Sequence, residues 1–169
     1  MGDAPVVIEP YDPSWPQCFA AASRRLGEVL SPWLVGPVEH IGSTAVPGLV
    51  AKPVIDILAP VHDFREASAA IPLLETGGWL LWRADPYGYR LWFLTPGPQH
   101  RTHHLQMVAA DAPQARALLA FRDALRADDG LAAQYAALKR RLAARHRVDR
   151  GAYTEAKSEF VQRVLDMRA

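Results

Sequence analysis

The chain has 169 residues, half of them hydrophobic and 22% charged, with a formal net charge of +1. That composition is ordinary for a globular protein, long enough to bury a real core as one domain over residues 1–169, and so even a balance gives no mandate for nucleic acid or an anionic membrane. The single cysteine, Cys18, excludes an internal disulfide framework, no apolar run approaches the ~20 residues of a membrane span, and MGDAPVVIEP lacks a signal peptide's basic region and apolar core, so a soluble cytoplasmic protein is expected.

In chain order, Val6-Val7-Ile8 is a short strand candidate, closed by Pro10 and Pro13. Ser14 is placed to cap a helix over 15–31, with Pro16 in its first turn and Phe19, Leu26 and Leu30 as its buried stripe. Pro32 and Gly36-Pro37 end it, and Val38–Ile41 leads into a Gly42-Ser43 turn. After Pro47, Gly48 and Pro53 comes VIDIL (54–58), an apolar strand candidate. Asp63–Glu66 has capping-box spacing and starts a helix carrying Ala67, Ile71 and Leu74, stopped by Gly77-Gly78. Trp79–Ala84 and Tyr89–Leu94 flank a tight turn, Asp85-Pro86-Tyr87-Gly88, and predict a hairpin. A loop at 95–100 precedes the alternating strand HHLQMV (103–108), in which Leu105 and Met107 point one way and His104, Gln106 and Val108 the other. Three helices follow, capped by Asp111 at the first and Thr154 at the third, with stripes at Leu118, Phe121, Leu125, then Leu131, Tyr135, Leu138, Leu142, then Phe160, Val164, Leu165. This pattern predicts an α+β fold: a mixed sheet, helices packed on one of its faces, and a C-terminal helical segment.

The chemistry points to Asp56, a lone carboxylate in an otherwise apolar strand. Burying it is costly unless it meets a metal, a proton or a cation. Arg90 is one possible partner, as a structural ion pair. If the strands carrying Asp56 and His104 are neighbours, Asp56 shares a polar face with His104 and Gln106. Gly42 and Ser43 can bring backbone close to a phosphate, or simply form a turn and a helix cap. The stretch is not a P-loop, since Lys52 does not follow a second glycine at the required spacing.

The segments IEPYDPSWP (8–16), HIGSTAVPGLVAKPVIDI (40–57), HHLQMV, FRDALR (121–126), YAALK (135–139) and YTEAKSEF (153–160) together resemble the GrpB-like family. That family in turn resembles the nucleotidyltransferase superfamily, with its small mixed sheet backed by helices. The resemblance implies that Gly42 and Ser43 hold a nucleoside triphosphate and that Asp56 binds Mg2+. The superfamily's further acids are missing here: the positions flanking Asp56 are Val54 and Leu58, and the neighbouring strand offers His104 and Gln106. One carboxylate cannot build the two-ion clamp of nucleotidyl transfer.

His104 then reads as a general base, a substrate contact or one ligand of a mixed site, and Lys52 as a phosphate contact or an exposed loop lysine. A zinc centre from His100, His103 and His104, completed by His40 or Asp56, is disfavoured because adjacent strand histidines face opposite ways. The basic run from Lys139 to Arg150 reads as a solvated helix face, without the interleaved aromatics of a nucleic-acid surface. Arg122, Lys139, Tyr153 and Lys157, within the family-like blocks, could fold back over the Gly-Ser turn and serve an anionic ligand. The expected function is a nucleotidyltransferase-like enzyme that binds a nucleoside triphosphate with Mg2+ and modifies a small molecule. Asp56 and His104 would be catalytic, with Gly42, Ser43, Lys52, Arg90 and Gln106 binding substrate. The alternative is a catalytically silent domain for a nucleotide or other small anion.

Overall fold

The computed structural model describes residues 5–168. Its first helix, α1 (Trp15–Leu30), begins where the spacing predicts, with Pro16 in the opening turn, and buries Leu26 and Leu30. Ser14 makes no side-chain cap; its backbone N–H instead donates to Asp12 Oδ1 at 2.8 Å, so Asp12 shapes the entry.

Five strands form one sheet: β1 (Glu39–Ile41), β2 (Ile55–Val61), β3 (Leu80–Leu81), β4 (Arg90–Gly97) and β5 (His100–Ala109), ordered β1-β2-β5-β4-β3. Only β2 and β5 run parallel; the other pairs are antiparallel. The expected loop at 95–100 shrinks to two residues, because β4 continues to Gly97 and β5 starts at His100, where they pair. The mixed sheet matches the expected α+β class.

The period-two pattern sorts the sheet into two faces. Ile55, Ile57, Ala59 and Val61 of β2, with Phe93, Leu105 and Met107, join Leu26 and Leu30 of α1 in the main core. Leu74 of α2 (Ile71–Thr76) closes the same layer. On the opposite face Ile41, Leu58 and Val108 pack with Ala115 of α3 (Pro113–Ala127). Helices therefore cover both faces, correcting the expectation of one. The reason lies in β2, where Ile41's partner strand carries Leu58 on the supposedly polar side, an apolar position that needs its own cover.

Beyond α3 come α4 (Asp129–Arg145), α5 (Arg150–Glu155) and α6 (Ser158–Asp166). Tyr135 of α4 and Phe160 and Val164 of α6 pack on Val46 and Leu49, in the stretch after the Gly-Ser turn. Arg126 of α3 donates to Ala45 O at 2.8 Å. The helical third is thus clasped onto residues 42–50.

Four local expectations are corrected. Val6–Ile8 forms no strand: Val6 N–H donates to Arg147 O, and its side chain packs with Leu142, Ala143 and Tyr153, leaving only a Glu9–Ala51 bridge. The segment after Asp63 is a 3-10 turn (Glu66–Ala70) running into α2, since Pro72 has no N–H to continue a helix through from Glu66. Ala112 stands at the N-cap of α3 rather than Asp111, with no side-chain cap. Thr154 sits inside α5, which Asp149 caps by accepting from Ala152 N–H at 2.9 Å, so the predicted third helix is two. No helix among the described residues is long and apolar enough to cross a membrane.

Candidate anion-binding cavity

The parallel register of β2 and β5 sets Asp56 directly beside His104. His104 Nδ1 donates to Asp56 Oδ1 at 3.0 Å, which leaves Nε2 to the other side of the ring. That Nε2 is buried and finds no hydrogen-bond partner among the described residues. The edge of Trp92 packs on the imidazole, with centroids 5.0 Å apart. Asp56 itself keeps 32% of its side chain open to the cavity. Burial pushes its carboxyl up, but the His104 hydrogen bond and charge, with Lys52 and Lys157 beyond, outweigh this and hold it below the usual carboxylate range.

Gly42 seals the other side of that carboxylate. Its backbone has φ 71° and ψ −171°, a region open essentially to glycine alone. A Cβ there would lie 2.6 Å from Asp56 Oδ2, inside any tolerable contact. Ser43 begins a 3-10 turn and lines the cavity with Tyr135. Burial, with the neighbouring Tyr153 adding to it, pushes the Tyr135 phenol up.

Three lysines gather opposite Asp56. Lys157 Nζ lies 4.4 Å and Lys52 Nζ 5.2 Å from the centre of the Tyr153 ring. Lys139 Nζ sits 4.8 Å over the Tyr135 ring, donates to Val50 O, and is only 2% exposed. Burial first, then the neighbouring Lys157, Lys52 and Arg140, push Lys139 down to about 7 against the pull of Asp56. Burial and Lys52 bring Lys157 down to about 7 as well, Asp56 again opposing. Burial, with like charges crowded beside phenol rings, is what depresses the two amines.

These groups line a cavity of about 540 Å³ that also takes in Gly42, Gln106 and Arg90. Arg90 does not reach for Asp56. Its Nε and Nη2 fork onto Asp85, each at 2.8 Å, and Nη1 donates to Gln106 Oε1 at 2.7 Å. The proposed Asp56–Arg90 ion pair is therefore replaced by Asp56–His104. Arg122 also turns away, pairing with Glu39 at 2.7 Å and donating to His40 O at 3.0 Å.

The histidines do not converge. His40 lies on the opposite sheet face, stacked on Phe19 at 4.6 Å and bonded through Nε2 to Thr44 at 2.9 Å; His103 packs against Trp79 on that face too, and His100 is exposed. Among the described residues no three His, Cys, Asp or Glu side chains are placed to hold one ion. Mg2+ requires oxygen ligands. Of the three acids lining the cavity, Asp56 is engaged by His104, Asp85 is held by Arg90 and Glu155 is exposed, and no three potential ligands among the described residues converge, so the donor set does not fit Mg2+.

Sequence reasoning named Asp56, His104, Gly42, Ser43, Lys52, Arg90, Gln106, Lys139, Tyr153 and Lys157, and all of them line this cavity. It missed Trp82, Trp92, Arg101 and Tyr135, which carry no local signal; they read as core or surface until the helices fold over.

A family model described as GrpB protein matches residues 5–167. The UPF0157 protein PA4798 of Pseudomonas aeruginosa is 42% identical over 169 aligned residues, covering 96% of this chain and 67% of its own length. The UPF0157 protein YqkA of Bacillus subtilis is 34% identical over 152 residues, covering 90% of this chain, which spans only 44% of that relative. The crystal structure of conserved protein GrpB from Enterococcus faecalis superposes with a TM-score of 0.86 at 31% identity, covering 95% of this chain and 96% of that one.

Proposed function

The chain belongs to the GrpB family, and from the geometry of its cavity we propose that it binds a small phosphate-bearing anion without recruiting a metal ion. One observation carries this reading: Lys52, Lys139 and Lys157 crowd around Tyr135 and Tyr153, beside an Asp56 carboxylate that His104 already engages. A phosphate group entering there adds negative charge beside Lys139 and Lys157 and favours the protonated form of amines that burial depresses. The Gly42-Ser43 turn brings backbone to the same place without a side chain in the way.

The second reading is a nucleotidyltransferase-like enzyme for a nucleoside triphosphate, with Asp56 on Mg2+ and His104 as base. The Gly42–Asp56 contact favours it, since the superfamily resemblance pairs those two features. The lysine-rich lining, whose acids do not converge on one point, speaks for the metal-free reading instead.

Calorimetric titration with ATP and with tripolyphosphate, in EDTA and then in Mg2+, separates the two. Under the first reading both ligands bind in EDTA, Asp56→Asn binds at least as well, and Lys52→Met with Lys157→Met weakens binding tenfold or more. Binding that requires Mg2+ and disappears in Asp56→Asn supports the enzyme. Failure of both ligands under all conditions eliminates both readings.

A further inference from the structure

The end of the cavity away from the lysines is built of alternating rings and guanidinium planes. The Arg90 guanidinium lies 4.8 Å from the Tyr87 ring and 5.3 Å from Trp92; that of Arg101 lies 5.8 Å from Trp92 and 5.4 Å from Trp82. Trp82 meets Trp92 edge-on at 6.3 Å. The ladder is held in place by the protein itself: Asp85 and Gln106 fix Arg90, and Pro98 O accepts from Arg101 Nε at 3.1 Å. Yet its rings are poorly covered, with Trp82 and Trp92 half-buried and Tyr87 46% exposed, although all three line the cavity. Large aromatics held rigidly and left uncovered in a concave wall are a preformed surface for another flat group.

The order of groups across the cavity is continuous. Trp92 touches His104, His104 holds Asp56, and Asp56 faces Lys157 and Lys52. A ligand that spans the cavity thus meets π surfaces at one end, a carboxylate–imidazole pair in the middle and amines at the other.

Resting on the anion-binding reading above, we infer that the ligand is a phosphate ester of a planar heteroaromatic ring, with the phosphate among Lys52, Lys139 and Lys157 and the ring stacked at the Trp82–Trp92–Arg101 end. A cavity of about 540 Å³ suits a molecule of that size. Trp82 is the specificity residue at this end, because it stands last in the ladder and only one guanidinium covers it. A nucleotide and a phosphorylated pyridine share this chemistry, and the experiment distinguishes them.

The test compares ring-bearing with ringless ligands by calorimetry and tryptophan fluorescence in EDTA: ATP against tripolyphosphate, and pyridoxine 5′-phosphate against inorganic phosphate. We expect at least one ring-bearing ligand to bind about tenfold tighter than its ringless partner, the scale of one stacked base, and to quench tryptophan emission. The pair that shows the gain names the source. Trp82→Leu should collapse that ratio towards one, and Trp82→Phe should retain most of it. Equal affinities within both pairs, or a ratio unchanged in Trp82→Leu, overturn the inference while leaving phosphate binding intact. Silence from all four ligands overturns it together with the anion-binding reading.

Discussion

Gly42 and Asp56 are in contact across the β1–β2 turn: a methyl group on Gly42 would come within 2.6 Å of Asp56 Oδ2 and 3.1 Å of its Cβ. The glycine is thus required twice over, by its positive φ of 71° and by the carboxylate packed against it. The register Ile41↔Asp56 brings the two together, because the turn begins one residue beyond that pair.

Gly42→Ala should therefore cost more than strain alone. Backbone in this region costs about 1–3 kcal/mol for a residue with a side chain, and the displaced carboxylate adds the loss of its His104 bond. Gly48→Ala is the comparison, with φ +77° but nothing within 4 Å of a new Cβ. Thermal unfolding should rank Gly42→Ala clearly below Gly48→Ala, and only the former should weaken phosphate binding. Equal losses in both variants would mean that the Asp56 contact contributes nothing.

Acid should destabilise the fold in two stages. Burial, chiefly, pushes His40 down to about 4, with Asp56 opposing and Arg126, Arg122 and His103 adding to the fall. Between about pH 4 and the ordinary histidine value of ~6.5 the unfolded chain holds the extra proton, so stability drops as pH falls through that window. Asp56 is depressed, so its contribution is present above the ordinary carboxylate range and is lost only at lower pH, as the folded group protonates. Urea midpoints measured from pH 7 to 4 should decline in the parent protein and flatten in His40→Gln. Asp56→Asn should leave that upper stage in place.

The lysines work in the opposite window. Lys139 and Lys157 are both pushed down to about 7. From there to the ordinary lysine range of ~10.4 the unfolded chain binds more protons, so stability rises with pH. Anion affinity should move the other way, weakening as pH climbs from 6 to 9 and the amines lose charge. Titration at pH 8 in two buffers of different ionisation enthalpy should register proton uptake on binding. Binding without proton exchange would show that the lysines are already fully charged.

Arg90 is a structural keystone between the hairpin turn and the sheet. Its side chain and that of Asp85 are 12% and 9% exposed, so Arg90→Ala strands a buried carboxylate and also releases Gln106. A loss of roughly 3–5 kcal/mol is expected for breaking such a pair from one side. Removing both charges, in Arg90→Met with Asp85→Leu, should recover much of it. The same cycle applied to the exposed Arg83–Glu75 pair should give almost nothing.

The sequence by itself determined what local physics can dictate. Prolines and glycines bounded α1 and the hairpin, period-two alternation put His104 and Gln106 on one face of their strand, and an isolated acid among aliphatics marked Asp56 as the residue to watch. Spacing could not say which strands are neighbours, and only the parallel pairing of β2 with β5 made Asp56 and His104 a bonded pair rather than two separate polar residues. Nor could it reveal that Arg90 is claimed by Asp85 or that helices cover both faces. The family-like blocks raised the folding of Arg122, Lys139, Tyr153 and Lys157 over the Gly-Ser turn, but only the packed helices put the last three in the cavity and turn Arg122 towards Glu39. The helix placement depends on contacts between segments far apart in the chain, such as Lys139 with Val50 and Arg126 with Ala45, and on how apolar surfaces such as Leu58 and Val46 find cover, which is a property of the whole packed chain.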